Sequence, residues 1–175
     1  KVGIAYCQSW AIDENDARLH SLLSWTDDLD AARWRADFHN DGRDECRRFL
    51  LLKNTIPNAS AVLFRREAFE QVRGAEEALR VCGVWTTWCK MLLRSDVAFV
   101  AAPLNFVRHH ARSVRASTGL NARATYERYC VADFLLRHLD VDSAQRERVC
   151  RLLMNDWLDK VVRGRAGVAA RRRSR

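Results

Sequence analysis

The chain has 175 residues, 48% hydrophobic and 30% charged, with a formal net charge of +8, a composition that allows one globular domain with a real core and excludes a disordered chain. Its longest apolar runs, such as residues 97–104, fall far short of the ~20 residues of a spanning helix, and no charged segment followed by a long apolar run marks a secretory signal. Six arginines, Arg163, Arg165, Arg171, Arg172, Arg173 and Arg175, stand in the last thirteen residues without an acid, so the body is nearly neutral and nucleic-acid binding is a weak reading. Such a run suits a solvated, disordered tail or contact with an anionic membrane surface. The expected location is cytoplasmic, with membrane-peripheral attachment as a variant. Lys1 opens the chain inside a strand pattern, so a natural N-terminus upstream is expected.

Residues 2–6 are apolar on both faces, the pattern of a central strand in an α/β sheet. Gln8, Ser9 and Trp10 then stand at its carboxyl end, where open α/β sheets meet ligands. After a polar turn, residues 19–25 read as a second strand completing a rim hairpin. Residues 27–40 carry a weak signal for a short helix broken at Gly42. In residues 43–53, Cys46, Phe49, Leu50 and Lys53 recur at helical spacing, with Asp41 as N-cap and Asp44 and Glu45 in the first turn.

Pro57 makes residues 54–58 a loop. Residues 59–64 read as a short buried strand, and residues 65–73 as a helix with Glu67 suiting its dipole, stopped at Gly74. Trp85, Trp88, Cys89 and Leu92 form the apolar face of a buried helix. Residues 97–102 read as a strand closed by Pro103, and residues 104–108 as another. Residues 120–162 form a helical hairpin. Tyr126, Tyr129, Cys130, Phe134 and Leu135 lie on one helix face, Val149, Leu152, Leu153, Trp157, Leu158 and Val161 on the other, and Asp142 or Ser143 caps the second helix. The six cysteines show no C-x-x-C spacing, and buried free thiols are expected rather than disulfides or zinc.

Three segments carry a resemblance. NASAVLFRREAF (58–69), CGVWTTWCKMLL (82–93) and LNFVRHHARSV (104–114) follow one another as in the acceptor-side half of family 2 glycosyltransferases. That family shows N-x-S-x-x-x-F-R-R-x-x-F, then a Gly-Asp or Glu-Asp pair before Trp, then L-N-x-x-R-x-H-x-x-S-V. The resemblance implies an α/β fold: an incomplete GT-A, Rossmann-like sheet with flanking helices over residues 1–118, a helical extension over 119–163 and a basic, disordered tail over 164–175. It implies a parent enzyme passing a sugar from a nucleotide-diphosphate donor to an acceptor hydroxyl. Asn58, Ser60, Arg65, Arg66, Trp85, Arg108 and Ser113 would bind substrate, the arginines through a diphosphate. His110 would complete a divalent metal site, Mn²⁺ or Mg²⁺.

One position departs from the pattern. The family's general base falls on Val84, which cannot accept a proton, and Glu76 and Glu77 are the nearest carboxylates in sequence. Asp28-Leu29-Asp30 and Asp140-Val141-Asp142 have the letters of a D-x-D metal motif without its context, the first following a rim hairpin and the second joining two helices, so the donor half is expected upstream of this chain. The chain alone should be inactive. The rival reading is a non-catalytic interaction module derived from a degenerate transferase. Taken without the resemblance, the same segments read as a core strand, a Trp-rich core helix and a polar strand end.

Overall fold

The computed structural model describes the backbone of residues 1–108 and 122–173, and the side chains of residues 1–108 and 123–160. Strand β1 spans Val2–Ile12 and is the centre of one open, mixed sheet. Both of its faces are covered, as its two-sided apolar pattern requires. One edge pairs in parallel with β5, Asp96–Arg108, from Val2 opposite Asp96 to Ile12 opposite Arg108. The other edge is shared. Strand β2, Arg18–Ser21, is antiparallel to the end of β1, and β4, Val62–Phe64, is antiparallel to residues 4–6. Strand β3, Phe38–Asn40, pairs antiparallel with β5 on its far side.

Several local readings change in the tertiary structure. The hairpin's second strand is shorter than expected, because the Ser21 hydroxyl accepts from the Leu23 N–H and turns the chain into a 3-10 helix, Leu22–Thr26. Residues 27–40 form a 3-10 turn, Arg33–Arg35, and β3 rather than a helix. Gly42 is not a breaker. It opens helix α1, Gly42–Glu45, with the Asp41 carboxylate accepting from the Asp44 N–H at 2.9 Å. A Cβ at Gly42 would overlap the carbonyl oxygens of Leu92 and Ser95, so glycine is needed there for close packing. The helix continues as a π turn, Cys46–Leu50.

The expected buried strand at residues 59–64 is a 3-10 turn, Ala59–Ala61, followed by β4, whose Leu63 is 80% exposed. Its neighbour β1 supplies backbone partners, yet among the described residues none covers the outer side of Leu63. Pro103 does not divide β5. The register slips between Cys7 opposite Val100 and Gln8 opposite Pro103, and the extra residues bulge where proline has no N–H to give. The displaced Ala101 N–H is taken by the Asp37 carboxylate at 2.7 Å.

Helix α2, Arg66–Gln71, is shorter than the expected run to Arg73. It is closed by the Arg73 and Gly74 N–H groups bonding back to the Glu70 and Phe69 carbonyls, with Arg73 at φ +64° and Gly74 at φ +83°, which suits a residue without Cβ. Helix α3, Gly83–Leu92, buries Trp85, Trp88, Cys89 and Leu92 as their spacing predicts. Helices α4, Ala122–His138, and α5, Ser143–Arg173, form the hairpin, and Asp142 caps α5 by accepting from the Gln145 N–H at 2.7 Å. Helical backbone runs to Arg173 through the stretch expected as a disordered tail. The face of α4 in the core is Val131, Ala132 and Leu135, whereas Tyr126 and Tyr129 are exposed. Cys46, Cys82 and Cys89 are buried, Cys7 and Cys130 are half-buried, Cys150 is exposed, and all six are free thiols.

Candidate functional site

Parallel pairing of β1 and β5 sets Ser9 opposite Asn105. The Ser9 hydroxyl donates to Asn105 Oδ1 at 3.2 Å, and Asn58 Nδ2 donates to the same oxygen at 2.5 Å. Asn105 Nδ2 in turn donates to the Ser60 carbonyl at 3.2 Å, while Asn58 Oδ1 accepts from the Ser60 N–H. The last bond is the local cause of the turn: an asparagine accepting two residues ahead starts the 3-10 segment that presents Ser60. Two expected site residues, Asn58 and Ser60, are thus locked to Asn105, which the sequence segment LNFVR carries.

Beside this cluster lies a narrow cleft of ≈ 20 Å³ bordered by Tyr6, Gln8, Ser9, Trp25, Thr26, Thr55 and Asn58, among other residues. A water needs on the order of 10–15 Å³ on this measure, so the cleft admits a water and not a sugar ring. Its walls are held by indole hydrogen bonds: Trp25 Nε1 donates to the Asn54 carbonyl and Trp34 Nε1 to the Tyr6 hydroxyl, both at 2.8 Å. Gln8 and Ser9, expected near a ligand crevice, are buried, and Gln8 Oε1 accepts from the Ser9 N–H. Trp10 instead packs under the Arg18 guanidinium, which Phe106 also touches.

The remaining expected site residues are dispersed. Arg65 donates through Nε to the Val2 carbonyl at 2.7 Å, and Arg66 begins α2 in solvent. Both belong to the amino end of β1. Ser9 lies seven residues along that strand, roughly 23 Å at ~3.3 Å per residue, farther than an arginine side chain reaches. Arg108 holds the β1–β2 turn, donating to the Asp13 carbonyl at 2.7 Å and pairing with Asp16. Trp85 is buried, with Nε1 donating to the Leu50 carbonyl at 3.1 Å. Val84, its neighbour, is 48% exposed in the first turn of α3. His110 and Ser113 lie outside the described residues. Among those described, no group of three or more His, Cys, Asp or Glu side chains could hold a metal.

Two carboxylates are buried that the sequence does not mark as such: Glu127, and Glu45, expected only as a first-turn acid. Glu127 of α4 is buried at the entry of α3. Its oxygens accept from the N–H groups of Arg80, Val81 and Cys82 at 3.1, 2.6 and 2.9 Å, and from Arg123 Nε at 2.7 Å. Burial alone would raise its pKa, but Arg123 and the three N–H groups outweigh it and hold the carboxyl below the ordinary range. The same burial, with the Glu127 charge adding to it, pushes the Cys82 thiol up to about 11. Glu76, by contrast, is tied to Lys90 at 2.6 Å, which holds its pKa down.

Glu45 of α1 is the second. It pairs with Arg33 at 2.7 Å and accepts from Asn40 Nδ2 at 2.9 Å, and burial nevertheless pushes its pKa up. The Arg33 guanidinium is stacked over Phe38 at 3.8 Å and over Phe49 at 4.7 Å, an aromatic setting that favours a weakly hydrated cation. No family model matches the chain, and no curated protein or solved structure matches it significantly.

Proposed function

We propose that this chain is the carboxyl-terminal, acceptor-side half of a GT-A-type glycosyltransferase resembling family 2, whose longer parent passes a sugar from a nucleotide diphosphate to an acceptor hydroxyl. The observation that carries the reading is the interlock of Asn58 and Ser60 with Asn105. Residues matched in two separate family segments, 47 positions apart, meet in one hydrogen-bonded cluster on the paired strands β1 and β5. Asn105 Oδ1 is filled by two donors, while Asn58 and Asn105 each hold a second Nδ2 hydrogen in a fixed direction, which suits donation to a hydroxyl-rich acceptor.

Chemistry at α3 is where the chain falls short of an enzyme. Val84 supplies no base, and general-base catalysis is typically worth about 10²- to 10⁴-fold. Glu76 is engaged by Lys90 and Glu127 by Arg123 and backbone N–H groups, so neither is a ready substitute. A divalent metal, Mn²⁺ or Mg²⁺, would belong to the parent and neutralise the leaving diphosphate. His110 is the residue of this chain that the resemblance assigns to it. Val84 together with the closed α3 entry also supports the second reading, a non-catalytic module descended from a transferase.

The test has two arms. The 175-residue chain, given UDP- or GDP-sugars with Mn²⁺, should show no turnover, and metal-dependent hydrolysis would overturn the proposal. In the longer parent, Val84→Asp should raise sugar transfer from near zero if the enzyme has decayed. Full transfer with Val84 in place would put the base elsewhere, and no transfer in either form would favour the interaction module.

A further inference from the structure

Along the hairpin, α4 and α5 leave an open groove of ≈ 630 Å³ lined by Thr125, Tyr126, Tyr129, Leu153, Met154 and Trp157. Its walls are aromatic and apolar, and they are not covered by the rest of the described chain: Tyr126 is 64% exposed, Met154 56% and Trp157 52%. Contiguous exposed surface of this kind marks an interaction site. The groove's frame is cross-tied. Asp156 accepts from Thr125 at 2.9 Å and pairs with Arg128 and Lys160 at 3.0 and 2.9 Å, tying α5 to α4 directly beside the groove.

Charge identifies the occupant. Beyond Lys160, which is paired with Asp156, the sequence holds six cations, Arg163, Arg165, Arg171, Arg172, Arg173 and Arg175, and no acid. Helical backbone continues through this stretch as far as Arg173, so the cationic run extends from the groove on the same element. Over residues 122–160 the hairpin's seven acids are matched by seven cations, so the excess positive charge lies wholly in the six arginines that follow. Tyrosine and tryptophan are the side chains that settle at the level of lipid headgroups, and an aromatic face next to a run of arginines is the signature of an element lying in an anionic bilayer surface. A second copy of the chain would bring an identical cationic run, which disfavours self-association through this face.

We infer that the α4–α5 hairpin docks flat on an anionic lipid surface, with Tyr126, Tyr129, Met154 and Trp157 entering the interface and the arginine run meeting the headgroups. The surface is independent of the transferase reading. Among the described residues no helix is long and apolar enough to cross a membrane, so the contact is peripheral.

The full 175-residue chain is tested by co-sedimentation with vesicles of phosphatidylcholine alone and of phosphatidylcholine with 30% phosphatidylglycerol. Binding should appear on the anionic vesicles, fall at least tenfold in 0.5 M salt, and be accompanied by a blue shift in tryptophan fluorescence. Met154→Ser/Trp157→Ser should weaken binding at least tenfold with unchanged far-UV circular dichroism, and replacing the six arginines from Arg163 to Arg175 with glutamine should abolish it. Equal binding to neutral vesicles, or none to anionic ones, would overturn the inference. So would sedimentation equilibrium showing a dimer that Met154→Ser/Trp157→Ser dissociates, because the groove would then belong to a second copy.

Discussion

Removing the Glu127 carboxylate is the sharpest probe of how the helical extension is joined to the sheet domain. The carboxylate satisfies three backbone donors and one guanidinium N–H at a buried position. In Glu127→Gln one oxygen can still serve Val81 and Cys82, but the new NH₂ faces the Arg80 N–H and Arg123, donor against donor. A buried donor left unmet costs about 1–3 kcal/mol, and that is the expected loss for Gln. Glu127→Ala removes every acceptor: Arg123, 52% exposed, turns to solvent, but three backbone N–H groups are left unmet, for which roughly 3–5 kcal/mol in all is expected. At about 2–4 °C per kcal/mol for a chain of this size, the Ala variant should melt some 6–20 °C lower.

The pH dependence follows from the direction of the shift. The folded pKa of Glu127 lies below its ordinary value of 4.5. Its contribution is therefore complete above that value and is lost as pH falls through the lower, folded one. Urea unfolding followed by circular dichroism at pH 7 and pH 3 should show the wild-type advantage over Glu127→Gln shrinking at the lower pH. A difference under 0.5 kcal/mol at pH 7, or one that grows toward acid, would refute the account of Glu127 as the anchor of the α3 entry.

Glu45 carries the opposite sign: its folded pKa is raised by burial, so its contribution is present below the ordinary carboxyl range and lost as pH rises through the folded value, measurable as a shift in the carboxyl resonance by NMR. Gly42→Ala forces a Cβ into the Leu92 and Ser95 carbonyls and should destabilise by about 1–3 kcal/mol in thermal melts. Asn105→Ala removes the shared acceptor of Ser9 and Asn58 and should cost about 1–3 kcal/mol in urea unfolding, whereas a neutral outcome would undo the claim that the amide cluster is a fixed unit. Trp85→Phe leaves the Leu50 carbonyl without its indole donor, and a loss of about 1–2 kcal/mol is expected with no change confined to ligand binding, as befits a core residue.

Legibility in the sequence tracked how local each cause was. Trp85, Trp88, Cys89 and Leu92 repeat at the helical period, and a face that apolar has one way to satisfy itself, so α3 and its burial were readable. The Asp41 cap, the Pro57 loop and the Gly74 stop depend on backbone rules spanning four residues or fewer, and each was readable too. For the same reason the two-sided strand at the start of β1 was recognised, although its true length was not, because residues 7–12 are extended by pairing with β2 and β5 rather than by their own pattern.

Tertiary structure decided everything that two distant segments settle together. Gly42 looked like a breaker until the Leu92 and Ser95 carbonyls pressed on it. Residues 59–64 looked buried because they are apolar, yet β4 took an edge position where no described residue covers Leu63. The site shows the same division. Asn58, Ser60 and Asn105 could be listed from sequence, but only the parallel register of β1 and β5 brings Asn105 beside Ser9 and the Asn58 turn, while leaving Arg65 and Arg66 at the other end of the strand. Glu127 and the exposed Tyr126 differ by a single position on α4, a rotation of about 100°. Which of them faces the core is set by where α3 begins, and a periodicity of apolar letters cannot report that.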